Sequence, residues 1–232
     1  MNFSKPLIES TFIKRYKRFL VDAKLPNGEV ITAHCPNTGS MLGLLEEGNR
    51  LWLTHNPDPK RKLKYTTEII EADGVKVGIN TSKPNALCAE AIEKGLIPHL
   101  PADWTLQREK KYGENSRIDI LLTGPNDEKC FVEVKNVTLG RGSTALFPDA
   151  VTTRGTKHLL ELAEQVRQGH RAVMFYLVQR NDCQTFSAAE DIDPVYAQTL
   201  KEAMNEGVEV IAWSCHLSPD KIELAHALTL DI

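Results

Sequence analysis

The sequence predicts two domains of different class, an α+β and α/β combination in which a small β-barrel precedes a mixed sheet flanked by helices. Three observations predict it. Short strand-like stretches broken by turn residues fill the first 80 positions, helical periodicity begins only after them, and strands then alternate with helices around a wholly apolar run at residues 172–178. The expected division is 1–82 for the front domain and 83–232 for the back domain, with the boundary near Asn80-Thr81-Ser82-Lys83-Pro84-Asn85.

In the front domain the expected strands are 7–14, 18–24, 29–35, 50–55, 68–72 and 75–80. The breaks carry turn chemistry: Pro26-Asn27-Gly28, Pro36-Asn37-Thr38-Gly39, Glu47-Gly48-Asn49, Asn56-Pro57-Asp58-Pro59 and Asp73-Gly74. Five or six short strands in about 75 residues suggest a closed barrel of the OB type, a fold that commonly holds nucleic acid. Residues 86–94 have helix-forming composition and end at Gly95, with Leu87, Glu90, Ala91 and Lys94 on one side. Glu90 is either a half-exposed helix residue or a site member.

The back domain begins with an expected strand at 104–112 and continues into an antiparallel hairpin. Its arms are Arg117-Ile118-Asp119-Ile120-Leu121-Leu122 and Cys130-Phe131-Val132-Glu133-Val134-Lys135, and its turn is centred on Asn126. Pairing Asp119 with Glu133 places the midpoint inside that turn. A helix is expected at 152–168, with Leu159, Leu162, Ala163 and Val166 at helical spacing and Gly169 after its end. The run Ala172-Val173-Met174-Phe175-Tyr176-Leu177-Val178 reads as a strand buried on both faces. A helix at 194–206 and a strand at 208–213 complete a crossover unit.

With 232 residues, 41% hydrophobic and 25% charged, the composition is that of an ordinary soluble chain. Residues 1–80 hold twelve Lys and Arg against nine Asp and Glu, and the remainder carries −6. This modest asymmetry is compatible with a polyanion at the front and cations at the back, and also with chance. Five scattered cysteines without a CxxC pair predict neither disulfides nor a zinc site, and so a cytoplasmic protein. No stretch has the ~18 apolar residues a membrane span needs, and no membrane partner is expected.

Strand alternation puts Glu133 and Lys135 on one face, with Asp119 brought to them by the hairpin. Two carboxylates held together in an apolar setting call for a cation. Oxygen ligands favour Mg²⁺, Mn²⁺ or Ca²⁺ over zinc, and Mg²⁺ in particular usually uses only one or two carboxylates. Lys135 could then activate an attacking water or oppose the charge of a phosphate. This chemistry is metal-assisted phosphodiester hydrolysis. The competing reading is a self-neutralising ion pair of Lys135 with Asp119 or Glu133, with Arg117 taking part.

Four further sites suit a polyanion. Lys14-Arg15-Tyr16-Lys17-Arg18-Phe19 mixes cations with aromatics, as phosphate binding with base stacking requires, although an exposed edge strand looks the same. Lys60-Arg61-Lys62-Leu63-Lys64 is a weaker basic run that also fits an exposed loop. The turn containing His34, Asn37, Thr38 and Gly39 could form an anion nest. Arg154, Lys157 and His158 share a face in the first turns of the 152–168 helix, where either a bound phosphate or a nearby acid such as Asp149 would answer their charge.

Asp119 followed by Glu133-Val134-Lys135 resembles the catalytic motif of the PD-(D/E)xK nuclease superfamily, with Ile118 where proline is usual. A longer series of runs resembles the sugar fermentation stimulation protein A family. It comprises Arg15-Tyr16-Lys17-Arg18-Phe19, His34-Cys35-Pro36-Asn37-Thr38-Gly39, Arg108-Glu109-Lys110-Lys111-Tyr112-Gly113, Ser116-Arg117-Ile118-Asp119, Val132-Glu133-Val134-Lys135-Asn136-Val137-Thr138-Leu139, Phe147-Pro148-Asp149-Ala150-Val151-Thr152-Thr153-Arg154-Gly155, Lys157-His158-Leu159 and Gly207-Val208-Glu209-Val210.

The resemblance implies an OB-like domain followed by a PD-(D/E)xK nuclease-like domain, in a bacterial or archaeal cytoplasmic protein. It implies DNA binding without marked sequence preference and a link to regulation of sugar (maltose) metabolism genes. By the same resemblance Asp119, Glu133 and the main-chain carbonyl of Val134 would hold Mg²⁺ or Mn²⁺, and Lys135 would assist catalysis. Glu90 would supply an additional acid, with Glu109 as its rival. The expected DNA contacts are Arg15, Tyr16, Lys17, Arg18, His34, Asn37, Arg154, Lys157 and His158. The alternative is a DNA-binding transcriptional modulator whose nuclease fold is catalytically silent. The sequence leaves the oligomeric state open.

Overall fold

The structure is a computed structural model that describes residues 1–112 and 116–232. Gly113, which closes the run beginning at Arg108, lies outside the described residues. The front sheet contains β1 (Ile8–Tyr16), β2 (Leu20–Lys24), β3 (Val30–His34), β4 (Arg50–His55), β5 (Tyr65–Ala72) and β6 (Val75–Gly78), in the order β3-β2-β1-β4-β5-β6. A parallel bridge between His34 and Thr66 joins β3 to β5 and closes the first five strands into an OB-like barrel. Phe12, Val21, Ala23, Ala33, Leu51, Leu53 and Ile70 pack in its core. Lys17 and Arg18 have φ of 50° and 64°, so the β1–β2 turn includes Arg18 and the second strand starts at Leu20 rather than at the expected residue 18.

After the barrel come α1 (Pro84–Glu93), β7 (Thr105–Tyr112), β8 (Ser116–Thr123) and β9 (Lys129–Val137). They are followed by β10 (Leu139–Arg141), β11 (Thr144–Phe147), α2 (Thr153–Arg167), β12 (Arg171–Val178) and β13 (Thr185–Ala188). The chain ends with α3 (Pro194–Asn205), β14 (Glu209–Leu217), β15 (Ile222–Ala227) and β16 (Thr229–Leu230). The main sheet runs β15-β14-β12-β9-β8-β7, with β12 parallel to both β9 and β14 and antiparallel pairs at each end. This is the mixed sheet expected of the back domain.

Along β12 the side chains divide by parity. Val173, Phe175 and Leu177 enter the core shared with α1, while Ala172, Met174, Tyr176 and Val178 enter the core under α2 and α3. Burial on both faces accounts for the uninterrupted apolar run. On β9, Cys130, Val132 and Val134 face α1, and Phe131 and Val137 face the other layer. Glu133 and Lys135 therefore fall on the α2 side, as strand alternation requires.

The segment entering α2 is fixed at its start. Thr152 Oγ1 accepts the Gly155 N–H at 3.1 Å and so caps the helix. Asp193, which caps α3 through the Tyr196 N–H at 3.0 Å, also accepts the Thr152 N–H at 2.8 Å and ties the two helix starts together.

A second sheet, β10-β11-β13-β16, and strand β15 were not among the sequence-predicted elements. Their strands have between two and six residues, too few for period-two patterning to separate them from loops. The first residues of the chain also lie on the back domain: the Phe3 N–H donates to Asp220 O at 2.9 Å, and Asn2 bridges to Lys221. Among the described residues no helix is long and apolar enough to cross a membrane.

Candidate functional site

The β8–β9 ladder runs from Thr123↔Lys129 to Ile120↔Val132. One further step in this register would pair Asp119 with Glu133, as the turn position predicts, but the ladder stops short of it. There the Asp119 carboxylate takes the place of a main-chain acceptor, with Oδ2 receiving the Val134 N–H at 2.8 Å. The other edge of β8 is irregular at the same level. Glu109 has φ of 53° between the pairs Arg108↔Ile120 and Lys110↔Ile118, and side-chain parity breaks across Asp119, since Ile118 packs under α2 while Ile120 faces α1. This break opens the hairpin where the acids sit. Because the N–H and C=O of a strand residue lie on the same strand edge, the Val134 carbonyl is directed toward Asp119.

Asn85, in the first turn of α1, supports this arrangement. Its Nδ2 donates to Asp119 Oδ1 at 2.7 Å and to Glu109 Oε1 at 3.1 Å. Across the site, Lys135 Nζ donates to Glu133 Oε1 at 2.7 Å, and the same oxygen is met by His158 Nδ1 from α2. Arg154, one helical turn earlier, directs its Nε to His158 Nε2 at 3.3 Å. Glu133 is only 2% exposed, and its Oε2 is buried with no hydrogen-bond partner among the described residues.

The two acids are held in different protonation regimes. Burial, then the charge of Glu133, pushes the Asp119 carboxyl up to about 6, against the hydrogen bond from Val134 and the charge of Lys135. For Glu133 burial is the largest single influence and acts upward, but contact with His158 and Lys135 outweighs it and holds the carboxyl below its ordinary value. A buried carboxylate oxygen without a donor, opposite a carboxyl whose ionisation is suppressed by its neighbour, fits a missing positive charge. Among the described residues no group of three or more His, Cys, Asp and Glu side chains is arranged to cage a metal. Two carboxylates and a carbonyl, completed by solvent or phosphate oxygens, match the sparse protein coordination usual for Mg²⁺.

The other sequence-predicted residues separate into groups. Glu90, expected as an additional acid of the site, is instead paired with Lys94 at 2.5 Å and with the Met1 amine at 3.3 Å, while Glu109 is linked to Asp119 through Asn85. Arg15 is engaged internally, donating to the carbonyls of Arg18, Asn37, Gly39 and Ser40 and so clamping the 37–40 turn onto β1. Asn37 is buried and its Oδ1 accepts the Gly39 N–H at 2.8 Å, and the Tyr16 hydroxyl donates to Asp22 at 3.1 Å. His34 sits on the barrel-closing bridge to Thr66. Lys157 turns outward to Glu161 at 3.5 Å, whereas His158 is buried, so the three cations of α2 do not act as one surface patch. Lys17 and Arg18 remain exposed at the β1–β2 turn.

These groups border a cleft between barrel and sheet. One cavity of about 540 Å³ is lined by Arg15, Arg18, the 38–40 turn and residues 147–152. A second of about 350 Å³ is lined by Lys135, Asn136 and Arg154 together with Asn37, Thr38, Gly39 and Asp149, so the two share a wall. The Met41 N–H donates to Asp149 Oδ2 at 2.9 Å across this junction, which is the partner Asp149 takes in place of a cation on α2.

Asn85 and Asp193 were not predicted as members of this arrangement, and Asp149 was expected only as an acid facing the α2 cations. No spacing signal marks Asn85, since it comes from another element. His158 was predicted as a phosphate contact, but its position beside Leu159 and three residues after Gly155 already places it on the inward stripe of α2.

A family model described as "SfsA N-terminal OB domain" matches residues 13–79, and one described as "Sugar fermentation stimulation protein RE domain" matches residues 82–221. The sugar fermentation stimulation protein homolog of Paramagnetospirillum magneticum is 53% identical over 232 residues, covering 100% of this chain and 98% of the relative. That of Rhodospirillum centenum is 54% identical over 231 residues, with 99% of both chains covered. The structure of Pyrococcus furiosus SfsA, solved in complex with Ca²⁺, superposes with a TM-score of 0.89 at 29% identity, covering 100% of this chain and 98% of that one. With the barrel, the sheet and the Asp119–Glu133–Lys135 hairpin all lying within the matched lengths, this chain belongs to the sugar fermentation stimulation protein family.

Proposed function

We propose that the protein binds DNA largely without sequence preference and carries a divalent-metal site of the nuclease type acting on the phosphodiester backbone. The orphaned Glu133 Oε2 near Asp119 carries this reading, because Lys135 and His158 both engage the other oxygen and leave this buried acceptor without a donor, close to a second buried carboxyl. Asp119, Glu133 and the Val134 carbonyl are the ligands, and Mg²⁺ or Mn²⁺ is the cation whose preferences they suit. Such an ion, when bound, supplies positive charge to a reacting phosphate. The Ca²⁺ complex of the Pyrococcus furiosus relative supports a site for a hard cation in this fold.

The remaining tasks belong to side chains of the cleft. Lys135, 13% exposed at its side chain, offers its ammonium toward the 350 Å³ cavity and opposes charge developing on a phosphate there. Arg154 on the same cavity, and Lys17 and Arg18 at the barrel turn, hold backbone phosphates, while Phe19, 47% exposed, offers a stacking face. The family name connects the protein to stimulation of sugar fermentation, and DNA binding supplies a route to regulation of sugar metabolism genes. A second reading, a DNA-binding modulator with a silent site, is favoured by the small number of acids that the described residues bring together.

Labelled single-stranded, duplex and branched DNA incubated with purified protein and Mn²⁺ separates the two. Cleavage is expected from the wild type and is expected to fall by about 10²–10³ in Lys135→Ala, the effect of removing one charge-stabilising donor. Binding of all three DNAs without cleavage would sink the enzymatic reading and leave the modulator.

A further inference from the structure

We propose that His158 and Arg154 are positioning residues for the cation site, holding Glu133 so that one carboxylate oxygen is occupied and the other is presented to the ion. The proposal rests on the metal-site reading above, and deepens it by assigning work to a buried histidine that the hydrolytic scheme does not use.

The argument begins with donor and acceptor capacity. A guanidinium has five N–H donors and no acceptor. Arg154 Nε lies 3.3 Å from His158 Nε2, so that ring nitrogen is the acceptor and bears no proton. The neutral ring then carries its proton on Nδ1, which faces Glu133 Oε1. Lys135 Nζ donates to the same oxygen at 2.7 Å. The 3.0 Å approach of Lys135 Nζ to His158 Nδ1 thus brings together two donors that share an acceptor. Both protein donors are spent on Oε1, and Oε2 is left buried and unpartnered.

His158 is 6% exposed and sits between Gly155 and Leu162 on the inward stripe of α2, so its ring is fixed by packing and has no open face for a nucleic-acid phosphate. Arg154 is exposed and reaches the ring from the cleft side. A histidine that orients a ligating carboxylate, and is itself oriented by a further group, is how outer groups tune a metal site.

The test uses the full-length protein without DNA, Mn²⁺ calorimetry and ¹⁵N NMR of the imidazole. The wild-type ring is expected in the Nδ1–H tautomer, and Arg154→Ala is expected to move the proton toward Nε2. His158→Ala is expected to weaken Mn²⁺ binding by about 10–100-fold, and His158→Asn, whose amide nitrogen can occupy the Nδ1 position, to restore most of it. Unchanged affinity in His158→Ala, an Nε2–H tautomer in the wild type, or an equal loss in the alanine and asparagine variants would overturn the proposal. A wild type that binds no Mn²⁺ overturns the underlying metal reading and the proposal with it, whereas wild-type binding with an indifferent His158→Ala removes the proposal alone.

Discussion

At the scale of single residues, the site depends on an acid that the fold keeps reluctant to ionise. Asp119 is raised from 3.8 to about 6 by burial and by the Glu133 charge. A carboxyl raised on folding favours the folded state while protonated, and that contribution is lost as pH climbs from about 4 through 6. A divalent ion at the site offsets this loss, and protons compete with it below about 6. The thermal stabilisation produced by Mn²⁺ is therefore expected to be larger at pH 7.5 than at pH 5, and to vanish at both in Asp119→Ala. An equal shift at the two pH values, measured by differential scanning calorimetry, would place the ion elsewhere. The shared face of Glu133 and Lys135 was legible in the sequence from strand alternation, and the turn position brought Asp119 to their level, although the ladder stops one step before the expected pairing with Glu133. Asn85 was not identified, since it depends on a helix packed against the hairpin from another part of the chain, whereas the inward position of His158 follows from helical spacing and only its partner Glu133 does not.

At the scale of elements, the start of α2, which carries Arg154 and His158 to the hairpin, has to lie close against α3. Gly155 makes room for this: a Cβ there would lie 2.8 Å from Thr152 Cγ2 and 3.0 Å from the Tyr196 ring. Gly155→Ala is accordingly expected to destabilise the protein by about 1–3 kcal/mol, the range for overpacking, read as a lowered urea midpoint. An unchanged midpoint would show that Thr152 and Tyr196 yield freely. The long elements were legible because each repeats its pattern often enough to fix a period; the double-sided burial of β12 shows directly in its seven consecutive apolar residues. The small sheet β10-β11-β13-β16 was not, because its strands are defined by distant partners rather than by their own patterning.

At the scale of the molecule, the proposed function depends on a barrel with an exposed basic turn standing beside an acidic site. The cleft between them is lined from both sides, and the Met41–Asp149 hydrogen bond joins its walls. DNA affinity is expected to fall steeply with salt, and Lys17→Ala with Arg18→Ala to flatten the log–log slope by roughly 1.4–1.8, the loss of two released counterions. An unchanged slope in fluorescence anisotropy titrations would remove the barrel turn from the binding path. Arg15 was expected in that path, yet its guanidinium is spent on four carbonyls that shape the 37–40 turn. A basic run in a sequence does not show which of its cations face inward.

The central claim is that one divalent ion sits between Asp119 and Glu133. Anomalous diffraction from crystals soaked in Mn²⁺ tests it most directly. The account predicts a single strong peak contacting the Asp119 carboxylate, Glu133 Oε2 and the Val134 carbonyl, absent in crystals of Asp119→Ala. A wild-type map without that peak, or a peak that survives in Asp119→Ala, would contradict it.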